Sequence, residues 1–394
     1  MVRGGKVGTI MTRQCILCGK CLEVCPLLNA TRREELGPRA KTELSAMLRD
    51  DELLLSGEDV TRLAGLCLGC HRCRKACSHG VDAPGMVSAL RGAHPDFKRW
   101  LWKTWLTNAG SLWSSGSTVA KLIPKKFQPE KLGRHLKMLA GLKGGVGLEP
   151  CLSVRAFPKT YEETPVLLFA GCTANHVQKD WLASARFLLE GLGVHLLPDD
   201  FKCCGSGLRA AGCPHEAEDV ARHNIQIWRA AGRPKVLVFC ASCLAGLSDY
   251  DDFSNEPEKN LWQASLTPLA GWIGDVDFLI ADDAPASLGY HRPCHHDAAD
   301  SDFMFLKRIL GGRLETASDK ECCGFGGVMG LGAPELADQV TSQCWDRLGA
   351  MPVVVTGCSA CAARLGATAP ERVRVGHWLE MINRGSGGRV SSQT

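Results

Sequence analysis

Closely spaced cysteines give this chain its clearest capacity for chemistry, and the stretch from residue 67 to residue 80, CLGCHRCRKACSHG, carries four of them. Cys67, Cys70 and His71 match the CxxCH pattern of covalent haem attachment, while Cys70 and Cys73 match a redox-active CxxC pair. When Cys77 is included, four thiols stand at the spacing of iron–sulfur ligands. The same residues therefore fit three different kinds of chemistry.

Composition and the absence of targeting signals narrow this choice. The chain has 394 residues, of which 45% are hydrophobic and 21 are cysteines, as in a globular protein with a sizeable core. No basic segment precedes an apolar run near the start, and the uncharged run from Thr104 to Ala120 contains many polar residues. We therefore expect neither a signal peptide nor a membrane span. In a reducing cytoplasm cysteines favour metal ligation over disulfides, and covalent haem attachment lacks its export route.

A second cysteine motif supports the iron–sulfur interpretation. Residues 15–26 read CILCGKCLEVCP, the CxxCxxCxxxCP spacing of a cubane cluster, and residues 67–77 repeat the spacing of the four cysteines. In two-cluster arrangements, three closely spaced thiolates hold one cluster and the fourth reaches the other cluster. This rule predicts two [4Fe-4S] ligand sets: Cys15, Cys18, Cys21 and Cys77 for cluster 1, and Cys67, Cys70, Cys73 and Cys25 for cluster 2. His71 is then a loop residue. Zinc is the alternative, although zinc modules usually separate two CxxC knuckles by a longer spacer.

A long-period repeat occupies the second half of the chain. Each copy contains a single cysteine, then a CC pair followed by glycine, then a CxxC pair. The first five-thiol set is Cys172, Cys203, Cys204, Cys240 and Cys243, and the second five-thiol set is Cys294, Cys322, Cys323, Cys358 and Cys361. The CC pair precedes the CxxC by 36 positions in one copy and 35 in the other. Such matched spacing at a long period indicates a duplicated unit.

The elements that must position these thiols are apparent in the sequence. PVLLFAGC, KVLVFCASC and PVVVTGCSAC are short apolar runs that end at a cysteine, as buried parallel strands would. The stretches PHEAEDVARHNIQIWRAAG and APELADQVTSQCWDRLGA have helical apolar spacing and a proline near the first turn. In open α/β sheets, ligands bind beyond the carboxyl ends of the strands, which is where these cysteines fall. Gly205 and Gly324, lacking Cβ atoms, allow the backbone to approach a cluster closely.

These motifs together resemble a known family. The dicluster CxxCxxCxxxC head followed by two cysteine-rich CCG modules is similar to the iron–sulfur subunits of glycolate oxidase and anaerobic glycerol-3-phosphate dehydrogenase, and to the corresponding subunit of heterodisulfide reductase. The resemblance covers about residues 12–382, with GYHRPCHHD, ECCGFGGVMG and HWLEMI in the second module and FKCCGSG in the first. It implies that each five-thiol set holds a non-cubane [4Fe-4S] cluster. Dehydrogenase subunits often lack one of those thiols. Both sets are complete here, which favours the heterodisulfide reductase side of the family.

Six further cysteines and histidines stand outside or beside these sets. We predict that Cys151, Cys213 and Cys344 are buried structural residues, because they fit no motif. His291, His295 and His296 surround Cys294 in the sequence and are expected to support the site from outside the ligand shell or to deliver protons.

The connector at residues 94–145 differs from the rest of the chain, because it carries a formal charge of +8 and several tryptophans. An apolar residue recurs at every fourth position, with Trp100 and Trp102 beside this stripe; the stripe consists of Phe97, Leu101, Trp105, Ala109 and Trp113. On a helix, such a stripe flanked by cations suits an anionic membrane surface or a partner subunit, but packing against the chain's own domains explains it equally well. No nucleic-acid-binding motif accompanies the basic charge.

The sequence thus predicts an α+β multidomain protein with an N-terminal α-helical ferredoxin-like dicluster domain and two duplicated α/β CCG modules. The predicted boundaries are a disordered leader at 1–11, the dicluster domain at 12–93, the connector at 94–160, the first CCG module at 161–275, the second at 276–384 and a disordered tail at 385–394.

The predicted function is that of an iron–sulfur electron-transfer subunit on the cytoplasmic face of a membrane complex, joining a flavin dehydrogenase or soluble carrier to a quinone or cytochrome partner. No Rossmann fingerprint or flavin motif is evident, so we expect the two-electron chemistry to lie on another chain. Two alternatives stay open at this point. One is an enzyme that reduces a disulfide at a CCG cluster, and the other is a zinc-stabilised interaction module without a redox role.

Overall fold

A computed structural model gives the fold. It describes residues 15–49, 55–113, 147–316, 321–349 and 351–385. The predicted leader, nearly all of the predicted tail and the connector residues 114–146 lie outside the described residues.

By backbone contacts the chain forms two compact units, which do not follow chain order. The first draws its residues from the ranges Met1–Leu106, Gly207–Pro214 and Lys320–Asp346, and the second draws its residues from Thr107–Ser206, His215–Asp319 and Arg347–Thr394. The domain boundaries given above remain a prediction.

The first unit is built from short helices that follow the two CxxCxxCxxxC motifs. Its helices up to the connector are α1 (Lys20–Glu23), α2 (Pro26–Thr31), α3 (Pro38–Arg49), α4 (Gly57–Ala64), α5 (Arg72–Ala76), α6 (Ala83–Ala93) and α7 (Phe97–Thr107). Polar side chains begin two of them: Ser56 accepts a hydrogen bond from Asp59 N, and Asp82 accepts one from Gly85 N. Because an N-cap satisfies an otherwise unpaired backbone N–H, these residues fix where α4 and α6 start.

A buried arginine holds the dicluster helices to a later segment of the same unit. Arg91 on α6 is only 7% exposed, so its guanidinium must find partners inside the protein. It donates to Ala64 O at 2.9 Å, to Cys67 O at 2.8 Å and to Ala210 O at 2.6 Å. One side chain therefore fixes the backbone of a predicted cluster ligand and joins it to the segment Gly207–Pro214.

The second unit contains two four-stranded sheets in which all paired strands are parallel. One sheet has the order β3-β2-β4-β5, and the other has the order β10-β9-β7-β8. Their strands are β2 (Pro165–Phe169), β3 (His195–Leu196), β4 (Lys235–Val238), β5 (Leu266–Pro268), β7 (Leu288–Tyr290), β8 (Leu314–Thr316), β9 (Val353–Thr356) and β10 (Arg374–His377). Numbered within each sheet by chain order, both follow the order 2-1-3-4. The three apolar runs that were predicted to be buried strands form β2, β4 and β9.

A third, smaller sheet and several helices complete the second unit. In the small sheet, β1 (Leu152–Ala156) pairs antiparallel with β6 (Asp277–Ile280) and parallel with β11 (Ile382–Asn383). The core of the unit joins residues of all three sheets, including Leu152, Leu168 and Val355, with the aromatic ring of Trp378. The helices are α8 (Gly171–His176), α9 (Lys179–Gly191), α11 (Pro214–Ala230), α12 (Ala241–Ser248), α13 (Glu256–Ser265), α14 (Leu269–Trp272), α15 (Ser301–Leu310) and α18 (Ser359–Thr368). Helices α10 (Ser206–Ala210), α16 (Val328–Gly332) and most of α17 (Pro334–Leu348) belong to the first unit.

The connector does not present one continuous apolar stripe, which corrects the prediction from its periodicity. Phe97 is 71% exposed and Leu101 is 43% exposed, whereas Ala109 and Trp113 are buried at 5% and 4%. The stripe is interrupted because Ala109 and Trp113 pack into the core, whereas Phe97 and Leu101 face solvent. Trp102, predicted to lie beside the stripe, is also buried, and its Nε1 donates to Gly207 O at 3.2 Å. Among the described helices, none is long and apolar enough to cross a membrane.

Candidate metal centres

Two thiol-lined cavities lie in the first unit, at the two CxxCxxCxxxC motifs. The thiols that line the first cavity are Cys15, Cys18, Cys21, Cys73 and Cys77. The thiols that line the second cavity are Cys25, Cys67, Cys70 and Cys73. In each case three thiols of one loop meet the fourth thiol of the other motif, and Cys73 borders both spaces. The cavities thus bring together all four members of each predicted ligand set.

The backbone of the two loops follows the same unusual path. In the first loop Leu17 and Gly19 have φ of +59° and +82°, and at the equivalent positions of the second loop Gly69 and His71 have φ of +65° and +56°. Left-handed residues on either side of the middle cysteine turn backbone N–H groups into the loop, and such concavities bind anions, including the sulfides of iron–sulfur clusters. The loops therefore fit a negatively charged group held by thiolates.

His71 has a local role in this loop. Besides its left-handed backbone, its Nδ1 lies 3.9 Å from Asp82 Oδ1, and Asp82 also caps α6. The side chain therefore joins the cysteine loop to the start of the next helix.

Burial controls the protonation of the loop thiols. Cys18 is exposed, whereas Cys73 is buried. Burial, together with the nearby Cys322, raises the pKa of Cys70 to about 12. Burial also raises the pKa values of Cys25 and Cys73. A metal centre must displace these protons, so its binding strengthens as pH rises.

The first five-thiol set forms a contiguous group in the second unit. Cys172 follows β2 and Cys240 follows β4, so they lie at the carboxyl ends of two adjacent strands, where the strand order reverses. That switch point is the usual ligand site of an open α/β sheet. Cys203 Sγ lies 4.0 Å from Cys172 Sγ, and Cys204 interacts with both Cys203 and Cys243. Cys243 in turn interacts with Cys240, which completes the set.

Glycines give the backbone the space that this site needs. A Cβ atom at Gly171, whose φ is +73°, would lie 2.9 Å from Cys243 Sγ. A Cβ atom at Gly246 would lie 3.1 Å from Cys204 Sγ. Gly205, directly after the CC pair, has φ of +75°, a conformation that side chains rarely adopt. Cys243 and Cys204 therefore lie against backbone that carries no side chain, at Gly171 and Gly246. A Cβ atom at Gly205 would meet Ala217, so the close approach of a cluster to Gly205 stays a prediction.

Mutual interaction and burial set the pKa values of this group. A hydrogen bond with Cys172, followed by burial, raises the pKa of Cys203. The corresponding interaction with Cys203, followed by burial, raises the pKa of Cys204 to about 12. Cys240 differs, because hydrogen bonds from Cys243, Cys358 and two serines hold the pKa of its thiol well below the usual range. Cys240 is thus best able to stay a thiolate.

An asparagine and a tyrosine hold the backbone of the CC pair. Asn224 on α11 accepts a hydrogen bond from Lys202 N at 2.9 Å and donates to Cys203 O at 3.1 Å. Tyr250 Oη donates to Cys204 O at 3.2 Å and accepts from Asn224 Nδ2 at 2.9 Å. Both side chains are fully buried, and this network fixes the direction in which the two thiols point. Sequence reasoning singled out the helix that contains the asparagine but not Tyr250.

The second five-thiol set follows the second parallel sheet in the same way. Cys294 follows β7 and Cys358 follows β9, which are adjacent strands, and Cys358 interacts with Cys361. These three residues belong to the second unit, whereas Cys322 and Cys323 belong to the first. His295 Nδ1 lies 3.5 Å from Cys294 Sγ, while His291 faces Thr356 and His296 faces Asp297 O. His295 lies at the Cys294 sulfur, and the roles predicted for the three histidines stay predictions.

The backbone of the second CC pair is also held by a buried side chain. Gly324 has φ of +74°, and a Cβ atom there would clash with Thr341 Oγ1 and lie 2.6 Å from Ala337 O. Thr341 Oγ1 donates to Cys323 O at 2.9 Å, and in the first copy Tyr250 donates to the equivalent carbonyl, Cys204 O. Arg72, in the second cubane loop, donates to Glu321 O, and Cys322 lies near enough to Cys70 to raise its pKa. This CC pair therefore adjoins the second thiol-lined cavity.

The three remaining cysteines, Cys151, Cys213 and Cys344, are all buried, as predicted. Among the residues that the structure describes, no three His, Cys, Asp or Glu side chains converge closely enough to hold a single metal ion.

Comparison with known proteins assigns the chain to a family. A family model described as a 4Fe-4S dicluster domain matches residues 11–81, and a model described as a cysteine-rich domain matches residues 166–248 and 288–366. These matches define an iron–sulfur protein of the oxidoreductase class. The chain belongs to the CCG-domain iron–sulfur family, as the motif resemblance predicted.

Several characterised relatives span most of the chain. The glycolate oxidase iron-sulfur subunit of Escherichia coli is 23% identical over 94% of this chain and 93% of its own length. One subunit of the dihydromethanophenazine:CoB–CoM heterodisulfide reductase of Methanosarcina acetivorans is 26% identical over 89% of this chain and 87% of its own length. One subunit of the fumarate reductase (CoM/CoB) of Methanothermobacter marburgensis is 24% identical over 89% of this chain and 66% of its own length. All three are named as parts of redox enzymes.

Proposed function

We propose that the chain is the iron–sulfur electron-transfer subunit of a membrane-associated redox complex on the cytoplasmic face. It relays electrons between a flavin dehydrogenase or soluble carrier and a quinone or cytochrome partner. The relatives named as subunits of glycolate oxidase, heterodisulfide reductase and fumarate reductase support this role. Oxidation of a reduced flavin releases two electrons and two protons, and reduction of a quinone consumes the same number.

The observation that carries the proposal is the crossed arrangement of thiols around the two cavities in the first unit. We assign two [4Fe-4S] cubane clusters to Cys15, Cys18, Cys21 and Cys77 and to Cys67, Cys70, Cys73 and Cys25. We assign two non-cubane clusters to the first and second five-thiol sets. When bound, these clusters supply one-electron transfer. The cysteines of the chain would hold them, and the left-handed loop residues would turn backbone N–H groups toward them.

We further propose that the second half of the chain arose as two duplicated α/β CCG modules. The two parallel sheets share the strand order 2-1-3-4, and equivalent cysteines follow equivalent strands. A glycine with positive φ follows each CC pair. Both five-thiol sets are complete, so both modules have the thiols to hold a cluster.

Peripheral membrane contact is proposed through an exposed patch on α7, which we define as Phe97, Lys98, Trp100 and Leu101. Trp100 is 56% exposed and stacks on Phe97 with ring centroids 5.4 Å apart. Helix α7 carries three cations and no acidic residue. Burial of a Trp contributes about 2 kcal/mol, and each cation adds about 1 kcal/mol near anionic lipid. Tryptophan and cations on one exposed helix suit a membrane surface.

The triple variant Lys98→Glu, Trp100→Ser and Leu101→Ser is therefore expected to leave the membrane fraction while keeping its iron. We expect about a tenfold or larger fall in the membrane-bound share, because both the apolar and the cationic contributions are lost. High salt should weaken binding of the unchanged protein, since screening removes the cationic part. Sedimentation of membranes followed by immunoblotting measures the bound share.

A matched control replaces exposed leucines far from α7 in sequence. Leu261 and Leu279 are 48% and 51% exposed, so their change to Ser removes similar apolar surface. This variant should stay membrane-bound. Retention of the α7 variant on membranes would show that the protein docks through another surface. Trp113 is unsuitable for such a test because it is buried.

The second candidate function is reduction of a disulfide at a CCG cluster, favoured by the completeness of both five-thiol sets. Such an enzyme breaks one S–S bond, using two electrons and two protons to form two thiols. For an electron-transfer subunit, we expect the dithionite-reduced chain to be reoxidised by a soluble one-electron dye but to release no thiol from a mixed disulfide. Sustained thiol release in the presence of dithionite, measured with a thiol reagent after desalting, would replace our first proposal with the second.

A further inference from the structure

The two CxxC motifs of the repeat meet inside the second unit. Helix α12 begins after Cys240 and helix α18 begins after Cys358, and both cysteines are the N-caps of these helices. The backbone joins the two motifs directly, because Ala241 N donates to Gly357 O at 2.9 Å. A residue between the two cysteines of one motif can therefore reach a cysteine of the other.

Cys240 and Cys358 differ in the number of serine groups that lie near their sulfurs. Ser359, from the second motif, brings its Oγ within 3.1 Å and its backbone N within 3.4 Å of Cys240 Sγ. Ser242, from the first motif, brings its Oγ within 3.3 Å of Cys240 Sγ and 3.5 Å of Cys358 Sγ. Three donor groups of serines thus lie within reach of Cys240, two of them on Ser359. Cys358 has one hydroxyl within reach in the described hydrogen bonds.

We propose that Ser359 of the second CxxC motif sets the reduction potential of the site formed by the first five-thiol set. This inference rests on the proposed function, because it assumes that Cys240 is a cluster ligand. A thiolate carries no proton, so both the hydroxyl and the N–H of Ser359 donate to Cys240. Hydrogen bonds to ligand sulfurs stabilise the more negative, reduced form of a cluster and so raise its potential. The second copy of the repeat thereby raises the potential of the first site.

The surroundings hold both partners of this contact in place. On the Cys240 side, His377 Nε2 donates to Phe239 O at 2.9 Å, and His377 Nδ1 accepts from Leu379 N at 3.3 Å. On the Ser359 side, the Asp302 side chain packs so closely on Gly357 that a Cβ atom there would clash with its carboxylate. His377 is fully buried, so its hydrogen bonds hold the backbone beside Cys240 inside the protein.

Ser359→Ala tests the inference in the full-length, cluster-loaded protein. The variant keeps the backbone N–H and loses only the hydroxyl. We expect the equilibrium constant for one-electron reduction of the first site to fall about tenfold, a shift of about 59 mV to more negative potential. Ser359→Thr, which keeps a hydroxyl, should restore most of the lost potential. Ser242→Ala should also shift the first site to more negative potential, because the Ser242 hydroxyl lies 3.3 Å from Cys240 Sγ.

Redox titration followed by electron paramagnetic resonance supplies the measurement. The signal of the first site is identified as the one that Cys204→Ala removes. A negative shift confined to this signal in Ser359→Ala, with iron content unchanged, supports the inference. An unshifted signal overturns it, and so does an equal shift of all signals or a Thr variant that behaves like Ala. If unchanged protein shows no signal that Cys204→Ala removes, the proposed function fails together with the inference.

Discussion

Replacement of Cys204 by Ala is expected to lower the iron content from about sixteen to about twelve atoms per chain, because one [4Fe-4S] cluster loses a ligand. Cys204 lies in the middle of the first five-thiol set, where it interacts with Cys203 and Cys243. Removal of its sulfur therefore breaks the contiguous group into two parts. The signals of the cubane clusters should persist, since the thiols that line both cavities are unchanged. Iron analysis together with paramagnetic resonance of the reduced protein measures both effects.

Cys151→Ala is the matched control for this variant. Both cysteines are 5% exposed, so the two changes remove a sulfur from equally buried surroundings. Cys151 belongs to no motif, and its backbone is fixed by the small sheet through Met381 O and Ala281 N. The control should keep all of its iron. Loss of the cubane signals in Cys204→Ala would contradict the separation of ligands between the sites.

Cys323→Ala should also remove one cluster, but it should affect a second cluster as well. Its neighbour Cys322 belongs to the hydrophobic cluster that contains Leu27 and Met329, and it lies near Cys70. The variant should lose about four iron atoms. It should also alter the signal of the cubane cluster assigned to Cys70.

The cysteine spacings were sufficient to predict which thiols meet at the two cavities. The fourth cysteine of each motif, Cys25 or Cys77, crosses to the other cavity because a short helix separates it from its own loop. Strands such as β2 and β9 were equally predictable, since short apolar runs bounded by glycine or cysteine leave few alternatives. Local pattern was therefore enough to predict which thiols of the first unit meet and which runs form strands.

Contacts between distant segments were not predictable in this way. Tyr250 reaches Cys204 O across 46 positions, and Ser359 reaches Cys240 across 119. Serine and tyrosine are common at many positions, so their spacing carries no signal. Each CxxC motif, CASC and CSAC, visibly contains a serine. The sequence does not show that each serine contacts a cysteine of the other copy.

The burial of individual apolar residues in the connector was not predictable from the sequence either. Periodicity identified an amphipathic helix correctly at α7, but it could not determine which of its apolar positions the rest of the protein covers. Trp102 and Trp113 are buried, while Trp100 is exposed, although all three tryptophans look alike in the sequence. Burial depends on the segments that fold against each position, here including Gly207 for Trp102.

If the thiols hold four iron–sulfur clusters, the metal content of the protein follows directly. Anaerobically purified protein should be brown and contain about sixteen iron and about sixteen acid-labile sulfide per chain. The reason is that the proposed assignment gives each cavity and each five-thiol set one cluster of four irons, whereas a zinc module closes around one ion with four ligands.

Metal and sulfide analysis of protein never exposed to oxygen tests this claim most directly. Iron and sulfide are expected in equal amounts, about sixteen of each, with little zinc. Zinc in place of iron, with no labile sulfide, would contradict the claim and would favour an interaction module without a redox role.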